Sequence, residues 1–261
     1  MEDILLKQFG DMYMRALLDR KYLVSILDDI AVSTDLPIAD IGCGSGGSTK
    51  TICECFPNAS VIGIDSNQEM LQFAHSVFHN SQVNFLNANA MNLPFQDGQS
   101  ACCVSRMMID NMPQPNQVVS EMYRVLCENG VMVIYGNSST TIGGNSRIAG
   151  LSAKMIQSFQ RYRRLTGFIG FDISYIQNQL LSLGAKKVAV KRIVKDVNSP
   201  GRIPLRYYYG IEEFDANKHL YCKLKLMDPK ELAAYNLMHN SILLDKNEYA
   251  SFEQAIVVAY K

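Results

Sequence analysis

The feature that most constrains this chain is a glycine-rich turn between two short apolar runs. The first run, residues 37–41, leads into Gly42-Cys43-Gly44-Ser45-Gly46-Gly47, and residues 48–56 suit a helix that ends before Pro57. The second run, residues 60–64, stops at Asp65. Glycines permit a sharp turn and let a ligand approach the backbone closely. The pattern predicts a strand, a helix and a parallel strand joined by a ligand-binding turn.

The same alternation continues through most of the chain. Further strands are predicted at 83–86, 101–104, 131–135, 187–194 and 255–259, and further helices at 1–33, from 67 to 78, at 117–126 and at 175–183. Ser66 or Asn67 can cap the second of these helices, and Gly184 suits the left-handed end of the last. Strands separated by helices of about ten residues are typical of a parallel sheet covered on both faces, so the fold class is α/β.

Composition excludes several other classes of protein. Of the 261 residues 48% are hydrophobic and 19% charged, with a formal net charge of zero, which argues against disorder and against a global nucleic-acid-binding field. We expect no membrane span, because no apolar run reaches about 18 residues, and no secretory signal. Seven cysteines without a repeated C-x-x-C motif predict reduced thiols, no metal site and a cytoplasmic protein.

Positive charge is concentrated in the middle of the chain. Residues 129–206 carry twelve Lys and Arg against two Asp and Glu, whereas residues 1–128 carry seven against fifteen. The basic stretch 147–164 either attracts an anionic acceptor or forms the solvated face of an amphipathic helix that lies across the acidic core.

The acids that flank the turn indicate which ligand it holds. Asp65, at the end of the second strand, can accept hydrogen bonds from both hydroxyls of a ribose. In a dinucleotide site Asp40 would lie beside the pyrophosphate and repel it. S-adenosyl-L-methionine has no phosphate and carries an ammonium group that Asp40 can bind, directly or through water. The sequence therefore favours S-adenosylmethionine over a nicotinamide cofactor.

Residues 36–137 resemble the class I S-adenosylmethionine-dependent methyltransferases, in particular the type 11-like enzymes that act on small molecules. The matching segments are residues 40–46, 61–65, 89–95, 121–126 and 129–134. The resemblance implies a Rossmann-like seven-stranded, mostly parallel sheet with helices on both faces and an antiparallel last strand. The chain departs from the family pattern at Asn89, where many relatives have Asp, and at Ile109-Asp110-Asn111, where relatives often have His.

The resemblance also implies a set of cofactor-binding residues. The turn would lie under the methionine half, Asp65 would hold the ribose, Asn89 and Ala90 would meet the adenine, and Ser105 would line the pocket wall. Tyr13 in the N-terminal helix could close over the cofactor carboxylate. The predicted cofactor-binding residues are Asp40, Gly42, Cys43, Gly44, Asp65, Ser66, Asn89, Ala90, Ser105 and Tyr13.

Four segments are expected along the chain. Residues 1–35 form an N-terminal helical lid segment, 36–194 the Rossmann-like cofactor-binding core, 195–251 an inserted cap or lid, and 252–261 the final core strand. The insertion is inferred from its length, since about sixty residues far exceed a usual connection. It contains Tyr207-Tyr208-Tyr209, which could line an aromatic acceptor site or simply pack in the lid.

Methyl transfer requires alignment and exclusion of water, and it requires a base only for some acceptors. No catalytic residue is assigned. His75 and His79 are expected on a core helix away from the pocket, whereas His219 and His239 fall in the insertion and could reach the acceptor.

The expected function is transfer of a methyl group from S-adenosylmethionine to an O, N or C atom of a small organic molecule, yielding S-adenosyl-L-homocysteine, in a possible homodimer. The alternatives are a protein that binds the cofactor without methyl transfer, as a partner subunit or cyclase, an NAD-dependent oxidoreductase, or an RNA methyltransferase. Ser105-Arg106-Met107-Met108 replaces the Asn/Asp-Pro-Pro-aromatic motif of base N-methylating enzymes, which argues against a nucleic-acid substrate.

Overall fold

A seven-stranded sheet forms the centre of the protein. The computed structural model describes residues 9–10, 12–14, 16–17, 20–79, 81–112, 114–137, 172–196 and 251–261. The strands are β1 (Ile38–Ile41), β2 (Val61–Asp65), β3 (Val83–Asn87), β4 (Ser100–Arg106), β5 (Leu126–Asn137), β6 (Lys187–Asp196) and β7 (Ser251–Tyr260). Their order is β3-β2-β1-β4-β5-β7-β6, and β7 runs antiparallel to both of its neighbours. The expected sheet, with an antiparallel last strand, is confirmed.

Helices cover both faces of this sheet, as predicted. They are α1 (Lys21–Leu27), α2 (Gly47–Cys55), α3 (Gln68–Val77), α4 (Pro115–Val125) and α5 (Ile173–Ser182), and a 3-10 turn spans Ile109–Asn111. One apolar core joins α1 and α2 to their face of the sheet, and another joins α4 and α5 to the opposite face. Residues 9–10, 12–14 and 16–17 are also helical. None of the helices in these described ranges is both long and apolar enough to span a bilayer.

The position of β1 decides where a ligand can bind. All four of its residues are buried, and it pairs in parallel with β2 on one side and β4 on the other. The chain therefore leaves β1 toward β2 and β3 and then returns across it to β4. In open α/β sheets such a reversal leaves a crevice outside the carboxyl ends of the strands, where ligands bind.

Helix α3 begins as predicted but buries a narrower face. The Asn67 Oδ1 atom accepts hydrogen bonds from the backbone N–H groups of Glu69 and Met70, both at 3.0 Å, which makes it the N-cap. At helical spacing Val77 shares a face with the buried Ala74, but the Val77 side chain is 37% exposed. The helix ends at Val77 and the chain turns extended, so Phe78 instead packs edge-on against Phe85, with ring centroids 5.2 Å apart.

Helix α4 ends one residue earlier than predicted and passes directly into β5. The sequence predicted a helix to residue 126 and a strand from 131, but Leu126 already begins β5. Asn129, with φ of 63°, lies in an irregular stretch of that strand. The end of the helix is bound by the Lys261 ammonium group, which donates to the carbonyl oxygens of Tyr123 at 3.0 Å and Leu126 at 2.8 Å. A cation at this position satisfies carbonyl groups that have no partner within the helix.

Replacing Lys261 by Met should therefore lower the free energy of unfolding by about 1–2 kcal/mol, because buried carbonyls lose a charged donor. Urea denaturation followed by circular dichroism measures the change. Lys187→Met is the matched control, since the exposed Lys187 ammonium lies 5.7 Å from the Tyr260 ring and caps no helix. Equal losses in the two variants would contradict the capping role.

Candidate functional site

Most of the predicted site residues meet at one edge of the sheet. The glycine turn follows β1, Asp65 ends β2, Asn89 and Ala90 come just after β3, and Ser105 lies near the end of β4. These four strands are parallel and adjacent, so their carboxyl ends lie side by side. The structure thus brings these residues to the crevice that the strand order predicts.

The conformation of the turn requires glycine. Gly42, Gly44 and Gly46 have φ angles of 74°, 53° and 89°, a region that other residues enter only with strain. A Cβ atom on Gly42 would also collide with the Met108 side chain. The turn is fastened to β2 through the Gly42 N–H group, which donates to the Ile64 carbonyl oxygen at 2.7 Å.

Cys43 contributes to the turn through its backbone. Its side chain is buried in a small apolar cluster with Leu71, Ala74 and Phe85. This burial raises the pKa of the Cys43 thiol far above its usual range, so the group stays neutral. The Cys43 side chain therefore contributes no charge to the crevice.

Asp40 is the most unusual group at this edge. Its side chain is 0% exposed, and its Oδ2 atom accepts a hydrogen bond from the Thr49 hydroxyl at 2.7 Å. Its Oδ1 atom is buried and has no hydrogen-bond partner among the residues that the structure describes. Burial raises the pKa of Asp40 to about 7, aided by the charge of Asp65 and opposed by the Thr49 hydrogen bond and Arg106. A buried oxygen without a hydrogen-bond partner lowers the stability of the folded protein, and a ligand that donates a hydrogen bond to it would remove this cost.

Asp65 supports the turn, a role that the sequence analysis missed. Its Oδ2 atom accepts from the Gly44 N–H group at 2.9 Å, and its Oδ1 atom accepts from the Asn67 N–H group at the same distance. The carboxylate thereby joins the glycine turn to the start of α3. A carboxylate has about four acceptor positions, so both oxygens can still accept from a ribose. The short Asp-x-Asn spacing is a sequence signal for the hydrogen bond from the Asn67 N–H group. The sequence contains no signal for the hydrogen bond from the Gly44 N–H group.

Asn89 shapes the segment that follows β3. Its side chain is exposed, and its Oδ1 atom accepts from the Met91 N–H group at 2.9 Å. The Ala88 N–H group donates to the Asp65 carbonyl oxygen at 3.1 Å, which holds this segment against the end of β2. Ala90 is half-buried and Ser66 exposed. Adenine contacts by Asn89 and Ala90 remain a prediction, as does cofactor binding by Ser66.

The end of β4 is lined by buried polar side chains. Ser105 is 1% exposed, and its hydroxyl has no hydrogen-bond partner within the described ranges. The Arg106 guanidinium lies 5.6 Å from the centre of the Tyr135 ring. Met107 has φ of 55°, a strained value for a residue with a side chain. Strain of this kind is often found at ligand-binding edges, but the sequence carried no signal for it.

Tyr135 and Gln254 extend this polar region across β5 and β7. The buried Tyr135 hydroxyl donates to Gln254 Oε1 at 2.7 Å, and Gln254 Nε2 lies 3.6 Å from the Met107 sulfur. Sequence reasoning missed both residues, since a single tyrosine at the end of an apolar strand is a weak signal. Asp110, in the 3-10 turn beyond β4, is also buried at 1% exposure.

Tyr13 lies beside the glycine turn. Its ring packs edge-on against Phe73 of α3 with centroids 6.3 Å apart, and its backbone oxygen would lie 2.9 Å from a Cβ atom on Gly47. Burial and the nearby Glu54 raise the pKa of its hydroxyl, which stays protonated and can donate. The predicted contact with a cofactor carboxylate is compatible with this location and remains a prediction.

The candidate bases are not at this edge or lie outside the described residues. His75 is on α3 as expected and packs edge-on against Phe85, with ring centroids 5.1 Å apart, and His79 is exposed just beyond that helix. Two of the candidate bases, His219 and His239, lie outside the described residues. The same holds for Arg15, the basic stretch 147–164 and the tyrosines 207–209. Within the described ranges, no three His, Cys, Asp or Glu side chains cluster as metal ligands would.

Comparison with known proteins identifies the domain. Residues 39–134 match the family described as Methyltransferase domain. Demethylmenaquinone methyltransferase of Lactococcus lactis is 33% identical over 113 residues, which cover 42% of this chain and 45% of that protein. Trans-aconitate 2-methyltransferase of Rhodopseudomonas palustris is 33% identical over 98 residues, covering 36% and 38%. The chain thus spans less than half the length of these relatives.

Solved structures share the whole fold. Phosphoethanolamine N-methyltransferase 2 of Haemonchus contortus, in complex with S-adenosyl-L-methionine, superposes with a TM-score of 0.58 over 91% of this chain and 51% of that one, at 18% identity. At this identity the likeness concerns the fold alone. The family match and the observed seven-stranded sheet confirm the resemblance drawn from the motifs, and residues 39–134 are a methyltransferase domain.

Proposed function

We propose that this protein transfers a methyl group from S-adenosylmethionine to an O, N or C atom of a small organic molecule. The observation that carries the proposal is the buried Oδ1 atom of Asp40 beside the glycine turn, in a domain that matches methyltransferases; this atom has no hydrogen-bond partner in the described part of the chain. The ammonium group of S-adenosylmethionine is a positively charged hydrogen-bond donor, which is the kind of partner that such an atom requires.

The same atom argues against a dinucleotide. A diphosphate on the glycine turn would place negative charge next to a buried carboxylate, and both groups would be destabilised at low local dielectric. Asp65, at the end of β2, contributes a second negative charge to the same edge. Two acids around the turn therefore support a cationic nucleoside ligand.

In the proposed complex, different residues of this chain contact different parts of the ligand. Asp40 holds the ammonium group, the backbone of Gly42, Cys43 and Gly44 lies under the methionine half, and Asp65 accepts from the ribose. Adenine contacts come from Asn89 and Ala90, Ser66 lies near the ribose, Ser105 forms the pocket wall and Tyr13 approaches the carboxylate.

Catalysis then depends on alignment. S-adenosylmethionine, when bound, supplies a methyl group on a positively charged sulfur, and the acceptor atom displaces that sulfur in line. A bond would form from the acceptor atom to the methyl carbon as the sulfur–carbon bond breaks; the sulfur would keep the bonding pair and lose its charge, and an acceptor atom that bears a proton would release it. Holding the two partners in line and excluding water are the tasks of the protein, and the buried groups at the ends of β1 and β4 serve them.

A small-molecule acceptor is supported by the relatives, whose names specify demethylmenaquinone and trans-aconitate. The segment 105–108 differs from the motif that grips a flipped base, which supports the same choice. A homodimer and a cytoplasmic location remain predictions of the sequence.

Binding and turnover measurements test the proposal. Isothermal titration calorimetry should show binding of S-adenosylmethionine and S-adenosylhomocysteine and none of NAD⁺. Incubation with methyl-labelled S-adenosylmethionine and a panel of small hydroxyl, amine and activated carbon acceptors should yield a labelled product and S-adenosylhomocysteine. Binding of NAD⁺ alone would contradict the proposal. Cofactor binding with no transfer to any acceptor would instead favour the alternative of a cofactor-binding protein without transferase activity.

Asp40→Asn should change the pH dependence of stability. The pKa of Asp40 is about 7 in the folded protein and about 4 in an unfolded chain. Between these values the folded state keeps a proton that the unfolded state has released, so this carboxyl makes stability fall as pH rises from about 4 to about 7. Asn cannot ionise, so the stability of Asp40→Asn relative to the unaltered protein should rise between pH 5 and pH 8 in urea denaturation. A difference independent of pH would contradict the buried, proton-retaining state.

Asp65→Asn should weaken S-adenosylhomocysteine binding at least about tenfold, because an amide loses the charge and one acceptor for the ribose and supports the turn less well. Calorimetry measures the affinity. Glu69→Gln is the control, because it removes the negative charge of an exposed side chain in the first turn of α3. This variant should change the affinity less than about twofold. Equal affinities of Asp65→Asn and the control would contradict the assigned role.

A further inference from the structure

The segment between β3 and β4 has no regular structure of its own, yet it carries two of the proposed adenine contacts. Residues 88–99 contain no helix or strand. We call them the β3–β4 loop. Asn89 and Ala90 lie near its start, and Leu93, near its middle, is buried at 3% exposure. A loop without its own ladder of hydrogen bonds must be fixed by its neighbours.

One arginine of α4 fixes the far part of this loop. The Nε and Nη2 atoms of Arg124 donate to the two carboxylate oxygens of Glu121, each at 2.8 Å. Its Nη1 atom donates to the Phe95 carbonyl oxygen and to Asp97 Oδ1, again at 2.8 Å, and its Nη2 atom also donates to the Leu93 carbonyl oxygen at 3.3 Å. These contacts occupy all the N–H groups that a guanidinium offers.

Two more side chains of α4 complete the connection. Glu121 Oε2 accepts from the Leu93 N–H group at 2.8 Å, and Gln117 Nε2 donates to the Met91 carbonyl oxygen at 3.0 Å. Gln117, Glu121 and Arg124 are spaced by four and three residues and therefore lie on one face of the helix. The hydrogen bond from Arg124 lowers the pKa of Glu121, so this carboxylate stays charged. The Glu121 and Arg124 side chains are 18% and 30% exposed, enough burial for such a pair to matter.

The near end of the loop is fastened to the nucleoside side of the crevice. The Ala88 N–H group donates to the Asp65 carbonyl oxygen at 3.1 Å, and Asn89 is bound to Met91 and Asn92 within the loop. The stretch from 89 to 92 therefore lies between Asp65 at one end and the α4 side chains at the other. If the contacts with α4 changed, the loop backbone at Met91 and Leu93 would move, and Asn89 would move with it because only a few residues lie between.

We propose that Gln117, Glu121 and Arg124 are positioning residues that set the conformation of the β3–β4 loop and through it the affinity for the adenine half of the cofactor. This inference rests on the proposed function, since it assumes a cofactor whose adenine meets Asn89 and Ala90. The α4 residues do not touch the ligand themselves. The planar fork of Arg124 matters because its five N–H groups reach both Glu121 oxygens, Asp97 and two carbonyl groups, whereas an ammonium group has only three donors.

Calorimetric titration with S-adenosylhomocysteine tests the inference. Arg124→Met and Arg124→Lys should each weaken binding about tenfold, in the range of coupling through shared contacts. Lys186→Met is the matched control, because it removes another ion pair, to Glu128 at 2.6 Å, that is exposed and has no contact with the loop. The control should bind as the unaltered protein does. Full affinity in Arg124→Lys would overturn the inference by showing that charge alone suffices.

A double-mutant cycle separates positioning from general support of the fold. If Arg124 acts through Asn89, the loss caused by Arg124→Met should shrink to less than about twofold in an Asn89→Ala background. Equal losses in both backgrounds would overturn the inference. Should Arg124→Met fail to fold, Gln117→Leu removes only the bond to Met91 and should weaken binding about threefold, and unaltered binding in that variant would count against the inference. Failure of the unaltered protein to bind S-adenosylhomocysteine would instead refute the proposed function.

Discussion

The buried carboxylate of Asp40, at the end of the central strand β1, is the interaction on which the rest of the site depends. β1 is buried and paired on both sides, so its last side chains cannot reach solvent. A charge placed there is costly unless a partner compensates it. Thr49 satisfies one oxygen and leaves the other available, and the pKa of about 7 reflects this incomplete compensation. In the proposed complex, the ammonium group of S-adenosylmethionine supplies the missing donor.

Around that carboxylate, the remaining groups hold backbone in place. Asp65 joins the glycine turn to α3, and Arg124 with Glu121 joins the β3–β4 loop to α4. Neither the turn nor the loop has a regular hydrogen-bond ladder, so both take their shape from charged side chains. A crevice built in this way can be well formed before a ligand arrives, which lowers the entropic cost of binding.

The parts of the structure that depend on local patterns could be predicted from the sequence. The strands, the Asn67 cap and the convergence of Gly42, Asp65 and Asn89 at one edge follow from periodicity, turn chemistry and parallel pairing. Contacts between distant segments could not be predicted, because they depend on how helices settle on the sheet. The bond from Asp65 to the Gly44 N–H group and the binding of Lys261 at the end of α4 are of this kind. The boundaries of the four proposed segments remain predictions.

A crystal structure of the complex with S-adenosylhomocysteine tests the central claim most directly. The account predicts that the ligand ammonium nitrogen lies within about 2.7–3.2 Å of Asp40 Oδ1, or is joined to it by one ordered water. An ammonium group bound elsewhere, with Oδ1 still unpartnered, would contradict the claim.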